Sequence, residues 1–251
     1  MLVDRRSFIV TGGLAAAGLL VAGTAASADV PHQSPIDIRT RAAVRDPRLP
    51  PLEVHYPRAV DLHVRYVSRD PADDPSGCGS RGREETIEAE VTAGAAWVVL
   101  GGTRYDLLQF HFHTPSEHMV DGRRAPLEQH FVHAGPAGEK LVVGLLLEGG
   151  GRRDSDVDQV LRTLPVECGE HVEVAGVDLA QALPRDLATF RYTGSLTTAP
   201  YSEPVSWLVV RQHGRISDET LARFQGEFPD GDARDPQPLN GRVVKLVDQH
   251  R

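Results

Sequence analysis

The 251-residue chain holds only two cysteines, Cys78 and Cys168. Two thiols cannot build a disulfide-dense scaffold or a multi-thiolate metal site. Basic residues are in deficit, 27 Lys and Arg against 35 Asp and Glu, for a formal net charge of -8. A nucleic-acid binder would carry a basic footprint, so that class is excluded. The sequence has no internal repeat, no long linker and no apolar run convincing as a membrane helix. With 40% hydrophobic and 25% charged residues, disorder is excluded for most of the chain, as are collagen and coiled coil. What the chain has in quantity is histidine. There are 11, and five of them (His111, His113, His118, His130 and His133) fall within a 23-residue window.

Residues 1–28 read as an address. Arg5-Arg6 precede an Ala/Gly/Leu-rich run from about Phe8 to Val21, and Ala26-Ser27-Ala28 is a small-x-small cleavage pattern. The Arg-Arg-Ser-Phe-Ile stretch resembles a twin-arginine export signal, with an ordinary secretory signal as the alternative. No cysteine stands at the cleavage pattern, so a lipid anchor is not expected and neither is a stable membrane anchor. The expected organisation is an export signal over 1–28 and one catalytic domain over 29–251, delivered to the periplasm or beyond. The twin-arginine route carries folded proteins, and a metal acquired before export is a physical reason to use it.

The rest of the chain shows period-two apolar alternation at Leu52–Tyr56, Leu62–Tyr66, Ile87–Val91, Tyr105–His113, Leu127–His133, Leu141–Leu147 and Val205–Val210. These segments are predicted strands. Ser68–Arg83 is polar and rich in Gly, Pro and Asp, and reads as a surface loop. Val157, Val160, Leu161 and Leu164 predict a short helix over 155–164. Ser217 caps a second, with Leu221, Phe224 and Phe228 on one face. The fold class expected is mainly β (α+β), a single domain with peripheral short helices.

In a strand, side chains two apart share a face. Gln109, His111 and His113 therefore point one way while Phe110 and Phe112 point the other. Glu128, His130 and Val132 share a face in the next predicted strand. If the two strands are neighbours, His130 joins His111 and His113. Three imidazoles without a thiolate suit Zn²⁺ in a catalytic arrangement that leaves a fourth position to water. Gln109 and Glu128 are candidates to orient His111 and His130. His118 and His133 do not join this face and read as hydrogen-bonded structural histidines. On spacing alone, a structural role for the His-x-His pair stays open.

Five motifs then occur in order over roughly 33–247: Gln33-Ser-Pro-Ile-Asp-Ile38, Gln109-Phe-His-Phe-His-Thr-Pro-Ser-Glu-His118, Pro126-Leu-Glu-Gln-His-Phe-Val-His133, Tyr192-Thr-Gly-Ser-Leu-Thr-Thr198 and Gln237-Pro-Leu-Asn-Gly-Arg242. On these residues the chain resembles the α-class carbonic anhydrases of bacterial exported type. The resemblance implies a large twisted, mostly antiparallel sheet. It also implies zinc on His111, His113 and His130, with a zinc-bound water whose pKa falls to about 7, so that hydroxide attacks carbon dioxide. Thr197 and Glu117 match the family's gatekeeping pair, the threonine donating to the carboxylate, and Thr198 lies beside them. Val132, Val142, Leu196, Val205 and Trp207 match its apolar CO₂ pocket. The implied ligands are CO₂ and bicarbonate, with sulfonamides as inhibitors.

Departures from the family pattern accompany these matches. Only four residues separate Ala28 from Gln33, so part of the usual N-terminal lid is missing. Where many members carry a histidine proton shuttle, this chain aligns Glu85 or the Ser68–Arg83 loop, and proton export is then expected to rely on buffer. The usual cysteine pair is absent, and the family's fold brings the loops of Cys78 and Cys168 to the same rim, where a non-standard disulfide is expected. Two rival readings are a catalytically silent binding module on the same fold and a cupin-type metalloprotein. Silent relatives typically lack a zinc histidine, and all three are here. A cupin motif wants glycine six residues before its first histidine, where Tyr105 stands.

Overall fold

The computed structural model describes residues 30–67, 85–165 and 170–249. The expected export signal, the Ser68–Arg83 loop and the Cys78–Cys168 pair lie outside the described residues. The strands are β1 (Asp37–Ile38), β2 (Val44–Arg45), β3 (Leu52–His55), β4 (Val60–Val67), β5 (Thr86–Val91), β6 (Trp97–Leu100), β7 (Thr103–His113), β8 (Met119–Val120), β9 (Arg123–Arg124), β10 (Leu127–Ala134), β11 (Lys140–Glu148), β12 (His171–Val177), β13 (Thr189–Gly194), β14 (Val205–Val210), β15 (Gly214–Arg215) and β16 (Lys245–Val247). Two short helices, α1 (Asp156–Val160) and α2 (Asp218–Glu227), lie between them. All seven predicted strands are present.

Among the described residues, thirteen strands form one sheet in the order β12-β4-β5-β7-β10-β11-β14-β13-β16-β2, with β3, β6 and β15 attached at its side. Most neighbours are antiparallel. The β11–β14, β11–β15 and β16–β2 pairs are parallel. At the centre, Gln109–His113 of β7 and Glu128–Val132 of β10 alternate strictly. Phe110, Phe112 and Phe131 are fully buried on one face and enter the main core, where the ring centroids of Phe110 and Phe131 lie 5.6 Å apart. A second apolar cluster, centred on Trp207, Val142 and Tyr192, lies on the other face.

A β-bulge breaks the register of β7 on β10. Val132 pairs with Gln109 but His133 pairs with Leu107, so Leu108 is the extra residue. Leu107 thereby enters the core while Leu108 faces outward. His133 is buried here. Its Nε2 lies 2.7 Å from Tyr56 Oη and its Nδ1 3.2 Å from the Leu141 carbonyl, and burial pulls its pKa down to about 4.

The first helix is shorter than the predicted 155–164. Ser155 caps it, accepting from Asp158 N–H at 3.0 Å, and it ends at Val160. Pro165 disfavours helical geometry at Leu164, and the last apolar positions of the pattern pack without it. The second helix follows the prediction: Ser217 accepts from Thr220 N–H at 3.3 Å and Phe224 packs edge-on against Phe112.

Candidate metal centre

Antiparallel pairing sets His111 opposite His130 and His113 opposite Glu128. Strand alternation thus brings the three histidines to one patch of one face. Their rings are buried, with centroids 4.9 to 5.2 Å apart. One ring nitrogen from each lies within 4.8 Å of the others. On β11, Gly144 faces His130, and a side chain there would press a Cβ to 3.0 Å from Glu128 Oε1. The glycine makes room for the buried carboxylate.

A second trio, His118, Glu128 and His130, is equally compact. His118 is already committed: its Nδ1 lies 2.8 Å from Glu128 Oε1 and its Nε2 2.6 Å from Tyr192 Oη. With both nitrogens engaged and no exposure, it has the structural role expected of it. His111, His113 and His130 are then the other compact set that could hold an ion.

The groups behind the rings fix their orientation. Gln109 Oε1 accepts from His111 Nδ1–H at 2.9 Å, which turns Nε2 towards the centre. Glu128 Oε1 lies 2.9 Å from His130 Nε2, although the pair is not aligned as a hydrogen bond. Burial alone would raise Glu128, but His118 and His130 outweigh it and hold the carboxylate well below its ordinary pKa. Glu117 is buried, its Oε1 accepting from Arg234 N–H at 2.9 Å, with Oε2 3.6 Å from His113 Nε2. Glu117 Oε2 has no hydrogen-bond partner, so the bond to Thr197 implied by the resemblance is not formed here.

Asp232 was missed by the sequence reading. It is fully buried, accepts from Thr114 N–H at 2.6 Å through Oδ1, and sets Oδ2 3.5 Å from His113 Nδ1. No spacing rule reaches it, because it approaches the histidines from a coil after α2. Burial alone would lower the pKa of His113, but Glu117 and Asp232 outweigh it and push it up to about 9.

Both ring nitrogens of His113 are buried without hydrogen-bond partners, and His130, with Nε2 beside Glu128, has its Nδ1 3.8 Å from Glu117 Oε2. Three imidazoles face one point, backed by three buried carboxylates: Glu117, Glu128 and Asp232. Unpartnered nitrogen donors and an excess of buried negative charge both fit a divalent cation of the Zn²⁺ type.

In front of the trio lies a cavity of about 220 Å³. Its polar side is Gln109, His111, His130, Thr197 and Thr198; its apolar side is Leu108, Val132, Val142, Leu196 and Trp207. Lys140 also lines it. Val205 is buried, and lines a neighbouring cavity rather than this one. The Ser195–Thr198 turn is pinned to the second cluster: Ser195 N–H donates to Ser34 Oγ at 3.1 Å, and Trp207 Nε1–H donates to the Ser195 carbonyl at 2.8 Å. Glu85 is not at the rim. It is buried, and its carboxylate accepts from Tyr66 O–H beneath Phe228.

A family model described as eukaryotic-type carbonic anhydrase matches residues 22–248. The chain belongs to the α-class carbonic anhydrase family. A carbonic anhydrase of Klebsiella pneumoniae is 34% identical over 215 residues, covering 85% of this chain and 79% of that one. The α-carbonic anhydrase of Thermovibrio ammonificans, solved with the inhibitor sulfanilamide, superposes with a TM-score of 0.73 at 34% identity, over 86% of each chain. Dioscorin, solved with ascorbate, superposes equally well (TM-score 0.73) at 27% identity, over 88% of this chain and 87% of that one. The single large sheet with few helices is the fold these carbonic anhydrases share.

Proposed function

We propose that the protein is a zinc-dependent enzyme interconverting carbon dioxide and bicarbonate. One observation carries the reading: three buried imidazoles converge, and two of them, His111 and His130, line a cavity that is polar on one side and apolar on the other. His111, His113 and His130 would hold the ion, and zinc there supplies a Lewis acid that makes hydroxide available from water near neutral pH. Gln109, Glu128 and Asp232 orient the three rings from behind. Val132, Val142, Leu196 and Trp207 give a non-polar gas a dry wall beside the polar floor. Thr197 lines the cavity; a hydroxyl donating to the buried Oε2 of Glu117, a bond not formed in this structure, would leave its oxygen to accept from a group in front. Thr198 sits beside it, where it can hydrogen-bond a bound oxyanion.

The described residues contain no helix long and apolar enough to cross a membrane. The Arg5-Arg6 leader supports export of a catalytic domain over 29–251 by the twin-arginine route. The inhibitor in the Thermovibrio structure supports sulfonamide binding in the same cavity.

The test is metal analysis of purified protein beside stopped-flow CO₂ hydration, with and without sulfanilamide. The expected result is one zinc per chain, hydration lost on chelation and restored by zinc, and inhibition by the sulfonamide. Zinc-loaded protein that does not hydrate CO₂ would be the silent binding module instead.

A further inference from the structure

Lys140 is one of only two lysines in the chain. The other, Lys245, has its ammonium 3.5 Å from Asp46. Lys140 opens β11, two residues before Val142 and hence on the same face, opposite Ala134 as Val142 is opposite Val132. This face is the apolar wall of the cavity, and Lys140 lines it half-buried. A long aliphatic stem suits that position, with the charged end carried towards water.

The ammonium has no ion-pair or hydrogen-bond partner among the described residues. No carboxylate lines the cavity, so Lys140 is its one permanently charged side chain. Lys140 also lines the adjoining cavity, where the acids Glu139 and Glu203 are held by backbone donors rather than by its ammonium: Glu139 accepts from Ala137 N–H at 3.0 Å and Glu203 from His32 N–H at 3.0 and 3.1 Å. In a chain of net charge -8, a cation among the lining residues gives this cavity a local attraction for anions that the rest of the surface lacks.

We propose that Lys140 is the anion-recruiting residue of the cavity, strengthening the binding of small monoanions, bicarbonate among them, while leaving neutral CO₂ unattracted. This rests on the reading of the cavity as the CO₂/bicarbonate site. It makes Lys140 a determinant of how tightly the charged partner of the reaction is held and how readily inorganic anions compete.

The test titrates protein loaded with Co²⁺ in place of zinc with thiocyanate and with bicarbonate, reading the visible absorption of the metal. Lys140→Met keeps the stem and removes the charge; Lys140→Arg restores it. K140M is expected to weaken both anions about three- to tenfold, the range of a half-exposed charge, and K140R to stay within about twofold of the parent. Parent-like titration of K140M overturns the proposal, as does equal weakening in K140M and K140R, which would make the effect one of packing. If the unsubstituted protein takes up Co²⁺ but neither anion perturbs its spectrum, the cavity reading falls and this inference falls with it.

Discussion

Strands β7 and β10 have two faces built from alternate residues, and the faces could hardly differ more. Phe110, Phe112 and Phe131 enter an apolar core; His111, His113, Glu128 and His130, one position away, are just as deeply buried but polar. On the first face, burial itself is favourable. On the second, burial carries a desolvation cost that only mutual pairing and a cation offset. The apolar face holds the backbone still, so that the polar face can keep imidazoles and carboxylates where they would not otherwise stay.

The sharpest way to separate the faces is to truncate neighbours. His130→Ala is expected to remove bound metal and, with it, hydration activity by on the order of a thousandfold or more. Its melting curve measured with chelator should lie close to that of the parent with chelator. Phe131→Ala should show the reverse: a loss of about 3 to 5 kcal/mol in denaturant unfolding, with zinc still bound to whatever remains folded. If both variants lose stability equally in chelator, the division between the faces is wrong.

A smaller effect sharpens the polar side. Asp232→Asn removes the charge behind His113 while preserving shape. Zinc affinity, measured by competition with a chromophoric chelator, should fall about tenfold, within the range found for residues behind metal ligands. An unchanged affinity would make Asp232 a tie for the Thr114 backbone and nothing more.

A further effect of comparable size lies beneath the apolar side. Asp156 is buried at the start of α1, and burial pushes its pKa up to about 6 from a usual value near 4. The folded protein therefore keeps a proton that the unfolded chain has released. The stability this contributes is full below about pH 4 and is lost as the pH rises through 6. Asp156→Asn should flatten that window and gain about 1 to 3 kcal/mol at pH 7 over the parent. A stability profile identical to that of the parent between pH 4 and 7 would rule out a buried charge there.

The strands that carry the site were legible because both faces are buried and the alternation of residue types is clean: Gln109-Phe-His-Phe-His113 states its own geometry. So was Val132 on the face of His130. β12 and β13 alternate too, as His171-Val-Glu-Val174 and Thr189-Phe-Arg-Tyr-Thr193, but each offers only a short apolar stripe and neither stood out as a strand. Asp232 and Lys140 were invisible for another reason. Each reaches the site by tertiary approach, one from a coil and the other from the mouth of a strand whose sequence reads only as core. The predicted 155–164 helix stops at Val160: Leu161 and Leu164 reach the core without it, and Pro165 bars helical geometry only at Leu164.

The bulge at Leu108 lets one continuous strand run in two phases. Upstream of it, odd-numbered residues such as Leu107 go to the core; downstream, odd-numbered residues are the metal-facing ones. The chain thus reads like a sentence with one letter inserted, and both halves keep their pairing only because that letter is left out of the ladder. Swapping Leu108 for another side chain alters one spot on the cavity wall, whereas deleting it would leave Leu107 directly before Gln109 in plain alternation, with the Val132–Gln109 and His133–Leu107 pairs kept and the kink at the cavity edge removed.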